Sequence, residues 1–288
     1  MDFIENLKLK YAQLNVSGKL VVFVSLTTIV FWLLGYIYEP ITDWFGLPAG
    51  FVPAVLQPWS WFTYGFLHGG LLHLFFNMLV LYFTGQMMLN LFSARQFLTL
   101  FFTGIVLGGL AFTLSSSLFT GYFSNNLLVG ASAGVYATLF FICSYMPETP
   151  VRLFFVVNVK LKYLAFGLVA LDVFAVVTNV NAGGSIAHLA GAALGYYSAT
   201  RMKSGIDVLE GFAGIGDGIT SLFTSSGTKN THKSKMKTVY KNQTKTAKPK
   251  PSSTNQQRID GILDKISESG YESLSRDEKD FLFKAGKD

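Results

Sequence analysis

Five polar residues of the chain are of the types that could perform acyl transfer. They are three histidines, an asparagine and a serine: His68, His73, Asn77, Ser132 and His188. A serine hydroxyl becomes a useful nucleophile when a base lies within hydrogen-bond reach, and the resulting oxyanion needs two or more fixed donors. Imidazole can serve as the base, and imidazole, amide and backbone N–H groups can serve as the donors. These residue types therefore indicate nucleophilic catalysis, if the fold brings them together.

The spacing within the first group favours a helix that aims two donors at one point. His73 and Asn77 are four residues apart, so they would project from the same helix face. His68 is five residues before His73 and would lie about 140° further round the same helix. We therefore expect His73 and Asn77 to act on one group, with His68 placed differently.

Ser132 and His188 each lie among small residues. Ser132 is in the segment GASAG at 130–134, whose neighbours leave the hydroxyl uncrowded. His188 begins the segment HLAGAALG, in which Gly191 and Gly195 form a small-xxx-small face suited to close helix packing. If that face meets the helix of Ser132, the fold brings His188 beside the hydroxyl.

The elements that must position these residues are membrane helices. Only 14% of the 288 residues are charged, and the mean hydropathy is +0.39, whereas a soluble domain is about one-quarter charged. Residues 20–200 contain eight charged side chains, but the 88 residues from 201 onward contain 27. The chain therefore combines a membrane-compatible body with a water-compatible tail. Its single cysteine, Cys143, excludes an intrachain disulfide.

Six apolar runs are candidates to cross a bilayer, which takes roughly 20 residues. They lie near 20–38, 62–84, 96–116, 128–146, 162–179 and 185–201. Around these runs, the basic residues precede the first, follow the last or lie in alternate loops: Lys8, Lys10, Lys19, Arg95, Arg152, Lys160, Lys162, Arg201 and Lys203. The other loops, near 39–61, 117–127 and 180–184, have none, so the positive-inside rule predicts that both termini are cytoplasmic. We expect an all-α membrane protein with six transmembrane helices and a cytoplasmic C-terminal tail.

This topology brings the chemically competent residues to one level. Runs two, four and six start at the outer surface, and Ser132 and His188 each follow such a start by about one turn. His68 and His73 follow the start of run two by about 6 and 11 residues, roughly 9 to 17 Å of depth. All four therefore fall in the outer half of the membrane, where they could share one site.

These residues also have other interpretations. A membrane histidine is often a packing hydrogen bond, and a serine in a Gly/Ala run is often only a small packing residue. The interpretation of the histidines as a metal or haem site is less favoured, because no His-x-x-Glu or His-x-x-x-His pattern is present. We therefore expect neither metal nor cofactor. The interpretation as a transporter is less favoured as well, because no internal repeat is evident. Asp172, in LVALDVFAVV, either bonds a neighbouring helix or tunes a gate, and is not assigned to a catalytic triad.

The motifs resemble those of the rhomboid family of intramembrane serine proteases. The segment WFTYGFLHGGLLHLFFNML at 61–79 is similar to the family's second helix, with its His-x4-His-x3-Asn arrangement. GASAGVYA at 130–137 is similar to the nucleophile motif, although Ala133 stands where glycine is usual. AHLAGAALG at 187–195 is similar to the sixth helix. The resemblance covers roughly residues 15–202.

The resemblance implies a six-helix rhomboid-like bundle of bacterial type, in the inner membrane, that cleaves peptide bonds in or near transmembrane segments. Ser132 would attack, and His188 would act as base and then as acid, in a dyad without an aspartate. His73, Asn77 and the Ser132 amide would stabilise the oxyanion, and His68 would contribute to the surroundings of the site. The substrates would be transmembrane proteins with helix-weakening residues near their outer ends.

The resemblance also implies supporting roles and leaves an alternative function. Gly130 belongs to the Gly-x-Ser motif, and Tyr136 matches the aromatic position that packs beneath the catalytic imidazole. Gly191 and Gly195 are the two glycines of the sixth helix. The alternative is a non-catalytic membrane-protein binder or quality-control factor on the same fold. Such a binder would tolerate alanine at Ser132, whereas a protease would not.

The tail divides into a basic segment and a helical one. Residues 229–258 carry eight lysines and one arginine without an acidic residue, so we expect them to be disordered and attracted to anionic lipid. Nucleic-acid binding is not expected, because Tyr240 is the only interleaved aromatic residue. The predicted domains are a cytoplasmic N-terminus at 1–18, a membrane domain at 19–202, a flexible basic linker at 203–256 and a small cytoplasmic helical hairpin at 257–288.

The hairpin prediction rests on helical spacing and on capping. Apolar residues recur at helical spacing before a helix end at Ser269–Gly270: Ile259, Ile262, Leu263 and Ile266. Ser275 and Glu278 then form a capping box ahead of the second apolar cluster. The exposed apolar face predicts a cytoplasmic partner.

Overall fold

The structure is a computed structural model that describes residues 2–122, 127–153, 156–212 and 254–285. The chain forms two compact units, Met1–Lys229 and Asn230–Asp288. Most of the predicted basic linker, from 213 to 253, lies outside the described residues.

The first unit is built almost entirely from helices. Its α-helices are α1 (Phe3–Gln13), α2 (Val16–Ile37), α3 (Ile41–Phe45), α4 (Phe51–Leu56), α5 (Ser60–Thr63), α6 (Leu71–Leu89), α7 (Ala94–Leu118), α8 (Ser132–Tyr145), α9 (Leu161–Val177) and α10 (Ala182–Lys203). Short 3₁₀ helices cover Tyr64–Phe66 and Val208–Phe212. Two antiparallel strand pairs, β1 (Leu47–Pro48) with β2 (Leu127–Leu128) and β3 (Pro150–Leu153) with β4 (Val157–Lys160), join loop segments.

Three of these helices are long and apolar enough to cross a membrane by themselves: α2, α6 and α7. The helix α8 is apolar but has only 14 residues, and α10 is rich in glycine and alanine, which lowers its hydropathy. The apolar helices mark a membrane-integral protein. The count of six spans and the side on which the tail lies remain predictions.

The second apolar run does not form one continuous helix, although the spacing of its residues predicts one. The chain forms α5 and a 3₁₀ turn, leaves helical geometry at Leu67, and begins α6 only at Leu71. Two consecutive glycines, Gly69 and Gly70, separate the two parts, and glycine disfavours a helix interior because of its conformational entropy. The predicted placement of His68 on the helix of His73 was therefore wrong.

The core is centred on α7. In its most apolar 18-residue window, 72% of the residues are buried, compared with 17% in α2, so α7 lies inside the bundle and α2 at its edge. Large side chains with almost no exposed surface fill this region: Tyr64, Phe97, Phe101, Phe102, Phe112 and Phe141. Burial of aromatic side chains is a major source of stability in such a core.

The glycines of α10 allow it to pack directly against the backbone of α8. A Cβ added to Gly191 would fall well inside contact distance of the Ala133 carbonyl oxygen, and one added to Gly195 would do the same at Ala137. The small-xxx-small face, which the sequence predicts to suit close helix packing, thus meets the helix of Ser132. Close packing here fixes the relative position of Ser132 and His188.

The turn after α8 is held by an ion-pair cluster. The Glu148 carboxylate accepts hydrogen bonds from Lys160 at 2.8 Å and from Lys162 at 2.5 Å. These two ammonium groups lower the pKa of the Glu148 carboxyl to about 2. The cluster ties the β3–β4 hairpin to the start of α9, the helix that carries Asp172.

The second unit contains α11 (Thr254–Ser269), a 3₁₀ turn at Tyr271–Ser273, and α12 (Arg276–Ala285). The predicted helix end is confirmed, since Gly270 has φ 78° just after α11. The predicted capping box is confirmed as well: Glu278 N donates to Ser275 Oγ, and Ser275 N donates to Glu278 Oε2 at 2.8 Å. Hydrogen bonds that its carboxylate accepts from the Ser275 backbone N–H and from Lys265 lower the pKa of the Glu278 carboxyl to about 2.

Candidate active site

A cavity of about 300 Å³ brings together residues from three distant parts of the chain. His73 comes from α6, Ser132 from α8 and His188 from α10. The remaining wall comprises Leu127, Leu128, Val129, Asn181 and Gly184. Of the four residues expected to share one site, the cavity therefore brings together Ser132 and two histidines, whereas the third histidine, His68, does not line it.

Ser132 is the first residue of α8, rather than lying one turn inside a helix. The loop before it is fixed by Gly130, which has φ 128° and donates its N–H to the Tyr64 carbonyl at 2.9 Å. A Cβ at Gly130 would lie 2.8 Å from His73 Cε1, so the loop passes directly over that ring. The first N–H groups of a helix have no acceptor within it, so the Ser132 amide is suited to donate to an anion.

His188 is held on two sides. Its ring stacks on Tyr136, with centroids 4.3 Å apart and planes inclined by 17°, which agrees with the expected aromatic contact beneath the imidazole. Its Nδ1 lies 2.9 Å from Oδ1 of Asp172 on α9. Only Nε2 then remains for a partner in the cavity.

His73 and Asn77 occupy one face of α6, as expected, but at different depths. His73 lines the cavity, whereas Asn77 is 8% exposed and donates from Nδ2 to the His73 carbonyl at 3.0 Å. Such a bond to the carbonyl four residues earlier is common for polar side chains in membrane helices. In this structure, therefore, Asn77 supports the turn of helix that carries His73 and does not line the cavity.

His68 lies behind His73, with the two ring centroids 5.0 Å apart. The Thr28 hydroxyl donates to the Phe66 carbonyl at 2.8 Å, so it can only accept from His68 Nδ1, which is 3.0 Å away. The other nitrogen, Nε2, accepts a long hydrogen bond from Ala131 N at 3.5 Å. The network thus assigns the Nδ1–H tautomer to His68, which links α2 to the loop before Ser132.

Ser132 and His188 face the same cavity without a direct hydrogen bond in the described part of the chain. Catalytic hydrogen bonds are often long in the absence of substrate and shorten in the complex. Among the described residues, no group of three or more His, Cys, Asp or Glu side chains is arranged to hold a metal ion. The arrangement offers a hydroxyl, an oriented imidazole and nearby donors, which are the groups that acyl transfer requires.

Sequence reasoning left two residues of this region unassigned. Asn181 lines the cavity with φ 56°, a conformation that asparagine adopts more readily than most residues, and an Asn-x-Asn sequence at 179–181 was the available signal. Asp172 was noted but not paired. Asp172 lies seven residues from the outer end of run five, whereas His188 lies three residues from the outer end of run six, so the runs alone did not indicate the contact.

Comparisons with known proteins agree with these motifs. Residues 252–284 match a family of unknown function, DUF6576, which covers the two C-terminal helices. No curated protein matches the chain. Residues 55–204 match the model of the rhomboid domain, which includes every side chain of the cavity described above. The chain therefore belongs to the rhomboid family, whose members are in general intramembrane serine proteases.

Proposed function

We propose that the protein is an intramembrane serine endopeptidase that uses Ser132 and His188. Ser132 Oγ bonds to the carbonyl carbon of the scissile peptide while its proton passes to His188 Nε2. The C–N bond then breaks as the imidazolium gives that proton to the leaving amine, which yields an acyl-enzyme. A water molecule, deprotonated by the same nitrogen, hydrolyses the ester and restores the serine.

One observation carries this proposal: a serine at a helix N-terminus and an imidazole with only Nε2 unengaged line the same cavity. A non-catalytic binder has no need of an imidazole held on two sides beside a hydroxyl. The stacking of Tyr136 and the bond to Asp172 restrict the ring to a small range of orientations. Such restriction is what general base catalysis requires.

The oxyanion would be stabilised by His73, by the Ser132 amide and by Asn77. His73 lines the cavity, and the Ser132 amide is at the start of α8. Asn77 would reach the oxyanion after a rotamer change, or would act through His73, whose carbonyl it holds. Removal of one such donor typically lowers kcat by about 10²- to 10³-fold.

The substrates would be transmembrane proteins. A peptide bond inside a helix is covered by side chains and by its own hydrogen bonds, so a protease needs a segment that leaves the helix readily. A wall of Leu127, Leu128 and Val129 suits an extended apolar segment beside the serine. We therefore propose substrates with helix-weakening residues near their outer ends, in a bacterial inner membrane, with both termini of the protease in the cytoplasm.

A fluorophosphonate probe tests the nucleophile without a known substrate. We expect it to label the purified wild-type protein at Ser132 and to leave Ser132→Ala unlabelled. Ser144→Ala is the matched control, because Ser144 lies on the same helix but does not line the cavity, and it should label like the wild type. Absence of labelling in a folded wild-type protein would favour the binder.

The C-terminal helices would contact a cytoplasmic partner. Leu263, Tyr271 and Phe283 are at least half exposed, although Ile262 is buried. Deletion of 257–288 should lower co-purification of a partner without loss of fluorophosphonate labelling. If the deletion changes neither abundance, partners nor activity, this part of the proposal is wrong.

A further inference from the structure

Asp172 is an acidic residue within an apolar helix, and it contacts the proposed catalytic base. The residue is 6% exposed, and its Oδ1 lies 2.9 Å from His188 Nδ1. A short turn joins α9 to α10, so consecutive helices run in opposite directions. Asp172 precedes the end of α9 by about 8 Å, and His188 follows the start of α10 by about 9 Å, so both lie at the same level.

The contact determines which nitrogen of His188 carries the proton. An ionised carboxylate can only accept hydrogen bonds, so the proton of a neutral imidazole must be on Nδ1. Nε2 then presents its lone pair to the cavity. This is the tautomer that can take a proton from Ser132, and the other tautomer cannot.

We infer that Asp172 is a positioning residue that completes a Ser132–His188–Asp172 relay. The inference rests on the proposed protease function, and it extends the dyad that the family resemblance implies. Asp172 accepts no proton during the reaction. It fixes the tautomer of His188, and its negative charge stabilises the imidazolium that forms when Ser132 attacks.

Two contacts together hold the imidazole ring of His188 in place. Stacking on Tyr136 fixes the plane of the imidazole but permits rotation within that plane. The bond from Nδ1 to Asp172 removes that rotation and so aims Nε2. Together they leave the base one orientation, on the side of the cavity.

The chemistry of the buried carboxylate argues against a purely architectural role. Its second oxygen, Oδ2, is buried, and the Tyr136 hydroxyl is near enough to the carboxylate for both a side-chain hydrogen bond and a Coulomb interaction. An asparagine could join α9 to α10 through its own Oδ1, with a smaller desolvation cost. The negative charge of Asp172 is therefore best explained by a role in stabilising an imidazolium at His188.

The test compares Asp172→Asn with Asp207→Asn. Asp207 also accepts hydrogen bonds, from Gln96 Nε2 at 2.7 Å and from Leu209 N at 2.9 Å, but it lies away from the cavity. With a cleavable transmembrane reporter, Asp172→Asn should lower kcat on the order of 10²-fold, with little change in KM, and should slow fluorophosphonate labelling in parallel. Asp207→Asn should change neither.

The outcomes separate this inference from the proposed function. Wild-type kcat in Asp172→Asn, or reduced cleavage with an unchanged rate of fluorophosphonate labelling, would overturn the positioning role while leaving the protease intact. Cleavage by Ser132→Ala equal to wild type would instead overturn the proposed serine mechanism.

A spectroscopic measurement on the wild-type protein covers the case in which Asp172→Asn fails to fold. In ¹⁵N-histidine-labelled protein, the His188 signals are identified by their loss in His188→Gln. We expect the nitrogen shifts and a far-downfield proton to report Nδ1–H bonded to a carboxylate. The Nε2–H tautomer in the resting enzyme would contradict the inference.

Discussion

At the residue scale, the shape of the candidate site depends on a backbone conformation that favours glycine. Gly130 has φ 128°, and a Cβ there would lie 2.8 Å from Cε1 and 2.9 Å from Nε2 of His73. A side chain at this position would strain the loop and also displace a proposed oxyanion donor. The loop before Ser132 and the ring of His73 are thus one structural feature.

We expect Gly130→Ala to lower kcat by about 10²-fold, as loss of one oxyanion donor does. Gly121→Ala is the control, because Gly121 also has a positive φ, 81°, but a Cβ there would meet nothing within 4 Å. Reporter cleavage by the two variants separates backbone strain from displacement of His73. Equal losses in both would show that the contact with His73 is unimportant.

Thr28 tests the role of His68. Thr28→Val removes an acceptor for His68 Nδ1 and leaves that buried donor unsatisfied, at a cost of about 1–3 kcal/mol. Thr27→Val, the control, removes only a bond to the Phe23 carbonyl of the same helix. Thermal unfolding in detergent should show Thr28→Val less stable than Thr27→Val, with a smaller effect on kcat than Gly130→Ala. A difference in the opposite order would exclude the anchoring role.

At the element scale, the site depends on how closely α10 packs against α8. Added atoms at Gly191 would meet the Ala133 backbone, which cannot move without shifting Ser132. Gly191→Ala should therefore reduce stability by about 1–3 kcal/mol and reduce cleavage further. Gly167→Ala on α9 has open space and should be neutral or slightly stabilising, since it removes a flexible residue from a helix. Thermal unfolding of both variants measures the difference, and equal stabilities would contradict close packing.

The sequence was sufficient to predict the helices that carry strong motifs. It was insufficient to predict where a helix breaks and which side chains of neighbouring helices meet. The spacing of Gly191 and Gly195 correctly predicted close helix packing, since glycines four apart give a flat helix face, but only the structure identifies α8 as the partner. The break at Gly69 and Gly70 was missed because hydropathy continues across it. The bond of Asp172 to His188 depends on the rotation of two helices about their axes, which a single sequence does not determine.

At the scale of the whole molecule, the predicted orientation of the chain in the membrane can be tested. Cys143 is buried and is the only cysteine, so Cys143→Ala gives a background in which single cysteines can be placed. Thr120→Cys should react with a membrane-impermeant maleimide from outside intact cells. Val156→Cys, at a position 79% exposed, should react only after permeabilisation. The reverse pattern would overturn the predicted orientation.

The measurement that tests the central claim most directly is cleavage of a transmembrane reporter by purified protein. Wild type is compared with Ser132→Ala, His188→Ala and the control Ser144→Ala, with folding checked by thermal unfolding. The account predicts cleavage by wild type and Ser144→Ala and none by the other two variants. Cleavage by Ser132→Ala at the wild-type rate would contradict the serine mechanism.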